Sequence, residues 1–131
     1  MKITLHSIHC QAKTESDADE IYCTITTGDA QKRQLACIEL GKFETDTKLQ
    51  PGKLLWSGAN ALLVTITFME SDANEPNHGA DDFIGEITAS AGGNCTPGRC
   101  ALDEGIPAPN LRQFTLTGSA ARYVIQLQVH M

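Results

Sequence analysis

The chain has 131 residues, a length that suits one domain, spanning 1–131, with a core of its own. Ten Lys and Arg stand against sixteen Asp and Glu, for a net charge of -6, and no basic cluster follows any segment, so nucleic-acid binding has no electrostatic footprint. Apolar stretches run only a few residues, far short of a bilayer span, and aromatic residues make up 5%, too few for a stacking surface.

The opening Met1-Lys2-Ile3-Thr4-Leu5-His6 lacks the apolar stretch and small-residue cleavage site of a secretory signal. It predicts a chain that is cytoplasmic as synthesised. Residues 2–13 read as a strand that breaks its own parity: Ile3 and Leu5 share one face, Ile8 and Cys10 the other. This predicts a bulge near Ser7. His6 and His9 would point to opposite faces of a regular strand, so a shared metal would need that bulge to realign them.

Ile21, Cys23 and Ile25 then alternate with Tyr22, Thr24 and Thr26. The same period of two recurs in Leu62, Val64, Ile66 and Phe68, and again in Tyr123, Ile125, Leu127 and Val129. Strands buried on one face in an antiparallel sheet read this way. Further strands are expected at 35–40, 83–89 and 113–116. Turn signals separate them at Gly28-Asp29, Gly41-Lys42, Pro51-Gly52, Gly58-Ala59-Asn60, Gly92-Gly93-Asn94 and Gly118-Ser119. No ten-residue stretch holds a 3.6 period with capping signals. The expected fold is all-β: an antiparallel β-sandwich of seven to eight strands, with Trp56 plugging one end.

Five cysteines, an odd number, argue against a fully paired framework. Cys10, Cys23 and Cys37 read as small buried hydrophobes in strands. Cys95 and Cys100 flank Thr96-Pro97-Gly98-Arg99, a turn that could bring two sulfurs together in an oxidising compartment. No Gly-x-Ser-x-Gly elbow, phosphate-cradling Gly-Lys-Ser/Thr loop or His-Glu-x-x-His motif is present. A Cys95–His78 pair could in principle act as a nucleophile and base, but nothing in the sequence orients it. The chain reads as a binding module and not as an enzyme.

The acid is concentrated in two segments. Residues 14–20 carry Glu15, Asp17, Asp19 and Glu20, and residues 69–82 carry Glu70, Asp72, Glu75, Asp81 and Asp82, with no Lys or Arg in either. Each joins one strong strand to the next. If the two meet at one end of the sandwich, two carboxylates ~5 Å apart at an effective dielectric of ~20 repel by about 3 kcal/mol. Calcium, which takes six to eight oxygens in flexible geometry, would relieve this. The alternative is a pair of ordinary solvated acidic loops.

The run Leu62-Leu63-Val64-Thr65-Ile66-Thr67-Phe68-Met69-Glu70-Ser71-Asp72, an insertion, and Asp81-Asp82-Phe83-Ile84-Gly85-Glu86 resembles the C2 domain, a calcium-dependent phospholipid-binding sandwich. Glu15-Ser16-Asp17-Ala18-Asp19-Glu20-Ile21-Tyr22 looks like its first calcium loop entering the second strand, and the form is closer to divergent bacterial members. The resemblance implies that Asp17 and Asp19 are first-loop calcium ligands. It implies that Glu70, Asp72 and Asp81 are third-loop ligands, with Asp82 a bystander. It also implies an anionic phospholipid or a protein partner, and peripheral membrane association. Three features depart from the family pattern: Glu70 stands where an Asp is usual, the loop from Asp72 to Asp81 is long, and its tip carries no basic or large apolar residue. The rival reading is a metal-independent interaction or assembly module, meeting partners through edge strands or residues 92–110.

Overall fold

The computed structural model describes residues 2–14, 18–27, 33–58, 63–71, 81–90, 95–97, 100–103 and 111–130. Among the described residues eleven strands follow in chain order: β1 (Lys2–Ala12), β2 (Asp19–Thr27), β3 (Arg33–Phe43), β4 (Lys48–Leu49), β5 (Lys53–Ser57), β6 (Leu63–Glu70), β7 (Asp82–Ser90), β8 (Cys95–Pro97), β9 (Cys100–Asp103), β10 (Leu111–Leu116) and β11 (Arg122–His130). They form two antiparallel sheets. One has the order β4-β1-β11-β10-β9, with β5 also pairing β1, and the other has β3-β2-β6-β7-β8. The β-sandwich is therefore the fold. The strand count exceeds seven or eight because the short strands β4, β5, β8 and β9 carry too few residues to show a period in sequence.

The alternating faces meet in one core. Ile3, Leu5, Phe114, Tyr123, Ile125 and Leu127 enter it from the first sheet, and Ile21, Cys23, Ile25, Val64, Ile66, Phe68 and Ile87 from the second. Phe43 on β3 and Tyr123 on β11 stack edge to face across the sandwich, with ring centroids 5.8 Å apart, a favoured aromatic geometry. Trp56 is half-buried and packs against this core, with its ring lying over Gly58.

The expected break in β1 lies where the parity changes. Its register against β11 shifts between Leu5 and Ser7, which turns Ile8 and Cys10 inward after Ile3 and Leu5. A second shift, between Cys10 and Ala12, was not legible in the pattern. Gly41-Lys42 is not a turn. β3 runs through it, and the register shift opposite Ile21 and Tyr22 takes up the extra residue, with Gly41 at a φ of 123° that only glycine adopts freely. Cys37 also departs from expectation: it is exposed on β3, whereas Cys10 and Cys23 are buried. It lies on edge strand β3 opposite Thr24, a residue of the outward face of β2, while Cys23 shares the inward face with Ile21 and Ile25. Among the described residues no helix is long and apolar enough to cross a membrane.

Candidate functional site

The registers bring the two acidic segments to one end of the second sheet. β2 begins at Asp19, and its neighbour β6 ends at Glu70, paired with Ile21. β7 begins at Asp82, paired with Glu70. The backbone closes this end directly: Ser71 N donates to Glu20 O at 2.8 Å. Antiparallel order alone produces the meeting, because a chain leaving the end of β6 must depart where the chain entering β2 arrives.

Asp19 is fully buried and faces inward, in phase with Ile21 and Cys23. Its carboxylate accepts from Thr14 N at 3.2 Å (Oδ1) and 3.0 Å (Oδ2), from Thr14 Oγ1 at 2.7 Å and from Tyr123 Oη at 2.5 Å. Three donor groups engage a carboxylate that offers about four acceptor positions. Asp19 thus clamps the start of the first acidic segment to itself and to β11 of the opposite sheet. Burial first, and then the bond to Asp19, push the Tyr123 phenol far above its ordinary range, so it stays a donor. The Cys10 thiol lies within hydrogen-bonding reach of that phenol and is raised chiefly by burial.

Asp81 is half-buried, and its Oδ2 accepts from Tyr22 Oη at 2.6 Å. Burial and the adjoining carboxylate raise the Tyr22 phenol. Glu70 is 3% exposed and continues the inward phase of Val64, Ile66 and Phe68, so a carboxylate stands where the core pattern places an apolar side chain. Asp82, next to Asp81, is half-buried at the start of β7. Among the described residues, two lysines stand at the margin of this end: Lys42 Nζ lies 3.7 Å from Glu20 Oε1, and Lys13 Nζ lies 2.6 Å from Glu44 Oε2.

Of the five expected ligands, the structure therefore brings Asp19, Glu70 and Asp81 to one end. Asp17 and Asp72 lie outside the described residues, as do His78 and most of the loop tip. Among the described residues no group of three His, Cys, Asp or Glu side chains could hold a metal ion. His9 stands near Asp46, with Nε2 3.9 Å from Oδ1. Cys95 and Cys100 begin strands in different sheets, and their side chains lie outside the description, so their pairing does too. The residues missed in sequence are the donors: Thr14, Tyr22 and Tyr123. Tyr22 sat visibly on the polar face of β2, but a hydroxyl's partner across 59 positions leaves no local signal.

No family model matches the chain, and no curated protein sequence matches it.

Proposed function

We propose that this chain is a calcium-binding, C2-like module without catalytic activity, which engages an anionic lipid headgroup or a protein partner through its acidic end. What carries the reading is the convergence of the two base-free acidic segments at the ends of β2, β6 and β7. In this reading Asp17, Glu70, Asp72 and Asp81 supply oxygens to the metal. Asp19, which accepts from Thr14 and Tyr123, holds the base of the first loop in place. A divalent cation would offset the repulsion among the loop carboxylates, and its flexible oxygen coordination suits ligands drawn from two loops. It would also turn a negative end neutral or positive, which lets a headgroup phosphate or an acidic protein surface complete the coordination.

One observation favours a second reading, a metal-independent interaction module. Asp19 and Asp81 already receive phenolic hydrogen bonds from Tyr123 and Tyr22, which lowers the need for a cation.

Thermal unfolding in chelator, in magnesium and in calcium at matched ionic strength separates the two. A one-site ligand at one hundred times its dissociation constant stabilises by about 2.7 kcal/mol, and for a domain of this size that is a rise of very roughly 10 °C. The first reading expects a calcium-selective rise that disappears in Asp72→Asn/Asp81→Asn. No shift at millimolar calcium removes the metal. A shift retained by the double variant removes these ligands. Co-sedimentation with phosphatidylserine vesicles, with and without calcium, then tests the lipid partner.

A further inference from the structure

The outer face of the first sheet, on the other side of the sandwich from Tyr22, carries a polar groove of about 340 Å³. Its walls come from β1, β4, β10 and β11, and among the described residues they present Lys48, Arg122 and His9 without one carboxylate. In a chain with sixteen acids and ten bases, this reverses the average character of the surface. Asp46 approaches at the rim, 3.9 Å from His9, with its side chain 86% exposed.

The floor of the groove is already ordered. Ser7, at the bulge of β1, donates through Oγ to Gln126 Oε1 at 2.8 Å, and Gln126 Nε2 donates to Gln113 Oε1 at 2.9 Å. Arg122 Nε donates to Gln11 Oε1 at 2.7 Å. That bond holds the guanidinium plane with one of its five N–H groups, and the others remain for the forked geometry that suits an oxyanion. Charge-assisted bonds from a fixed guanidinium and an ammonium are the strong kind, and neighbouring amides add selectivity. Among the described residues the lining includes no Phe, Tyr or Trp, so recognition here is polar.

We propose that this groove binds an oxyanion, a phosphate or a carboxylate group, between Lys48 and Arg122, with the Ser7–Gln126–Gln113 chain selecting the polar substituent beside it. The site is independent of the acidic end and needs no metal.

The test titrates isotope-labelled protein with inorganic phosphate, and separately with citrate, in chelator-treated buffer at constant ionic strength. The readout is the NMR resonances of Arg122 Nε–H and the glutamine side-chain amides. Saturating shifts with at least one anion are expected. Saturation by phosphate alone assigns a phosphate ligand, and by citrate alone a carboxylate ligand. Lys48→Gln/Arg122→Gln should weaken binding by about a hundredfold, since each of the two charge-assisted contacts is worth about tenfold. Arg122→Lys, which keeps the charge but loses the fork, should fall between, and Lys53→Gln on β5 should bind as the parent does. Both altered side chains are exposed, so the unfolding midpoint should hold. Shifts that stay linear with both anions, or an unchanged affinity in the double variant, would overturn the proposal.

Discussion

Asp19 shows how one side chain can be read for charge and yet be used for geometry. As part of an acidic run it looks like a ligand, but inside the sandwich it is an acceptor for two donors from Thr14 and one from Tyr123. Tyr123→Phe removes one donor from a buried carboxylate and should destabilise by about 1–3 kcal/mol in denaturant unfolding. If stability is unchanged, the clamp is not what holds this end. The same residue makes a pH prediction. Burial and hydrogen bonding raise both phenols of the chain, Tyr22 and Tyr123, in the folded state. A group whose folded pKa is raised contributes stability that is complete below its unfolded value, near 10, and lost as pH climbs toward the folded one. Phenolate absorbance should therefore lag behind that of free tyrosine above about pH 10 and rise together with the loss of circular dichroism. A phenolate signal at the ordinary pKa with the fold intact would contradict this.

At the level of elements, the connection between β10 and β11 is tightly constrained. Ala121 N donates to Gly118 O at 3.0 Å, around Ser119 and Ala120 with φ values of 54° and 61°. Two left-handed residues in succession make the turn that suits the twist of a hairpin, but an Asn-Gly pair would fill it with less strain than Ser-Ala. The turn also seats on β7, where Ser119 Oγ donates to Phe83 O at 2.9 Å. A Cβ on Gly118 would collide with the Phe83 carbonyl oxygen and come within 2.6 Å of that of Ile84. Backbone carbonyls in a sheet cannot step aside, so Gly118→Ala should cost about 2 kcal/mol or more. Ala120→Gly should instead stabilise by roughly 0.5–1 kcal/mol, the relief of left-handed strain less the added chain entropy of glycine. Both follow from urea midpoints, and the opposite order would refute the strained turn. Gly85 plays a related part, since a Cβ there would sit 2.9 Å from Leu116 Cβ in the facing sheet.

Across the whole molecule, the inward and outward faces set chemical access. Cys10 and Cys23 lie in the core, and burial pushes the Cys23 thiol up to about 12, whereas Cys37 is exposed. A thiol reagent at neutral pH followed by peptide mapping should modify Cys37 promptly, and Cys10 and Cys23 only once the domain unfolds. Early labelling of Cys23 would mean that β2 does not pack as described. Such mapping combines with calcium titration: if metal tightens the acidic end, protection of Cys10, beside Tyr123 and Asp19, should outlast that of Cys23.

Sequence alone determined the fold class, because side chains alternating at period two decide which face of a strand is buried, whatever the strand packs against. Val64, Ile66 and Phe68 carried that signal, and the parity break after Leu5 located the bulge in β1. The positions of the acidic segments between strong strands were equally plain. Their meeting was only conditional, since strand order is a long-range property that no local pattern encodes, and the pairing of β2 with β6 decided it. Partners also waited for the tertiary structure. Tyr123 lies 104 residues from Asp19 and 113 from Cys10, and the groove of Lys48 and Arg122 draws on four strands. The physical reason is that composition sets how much charge and apolar surface a chain must dispose of, whereas folding decides which groups share the same few ångströms.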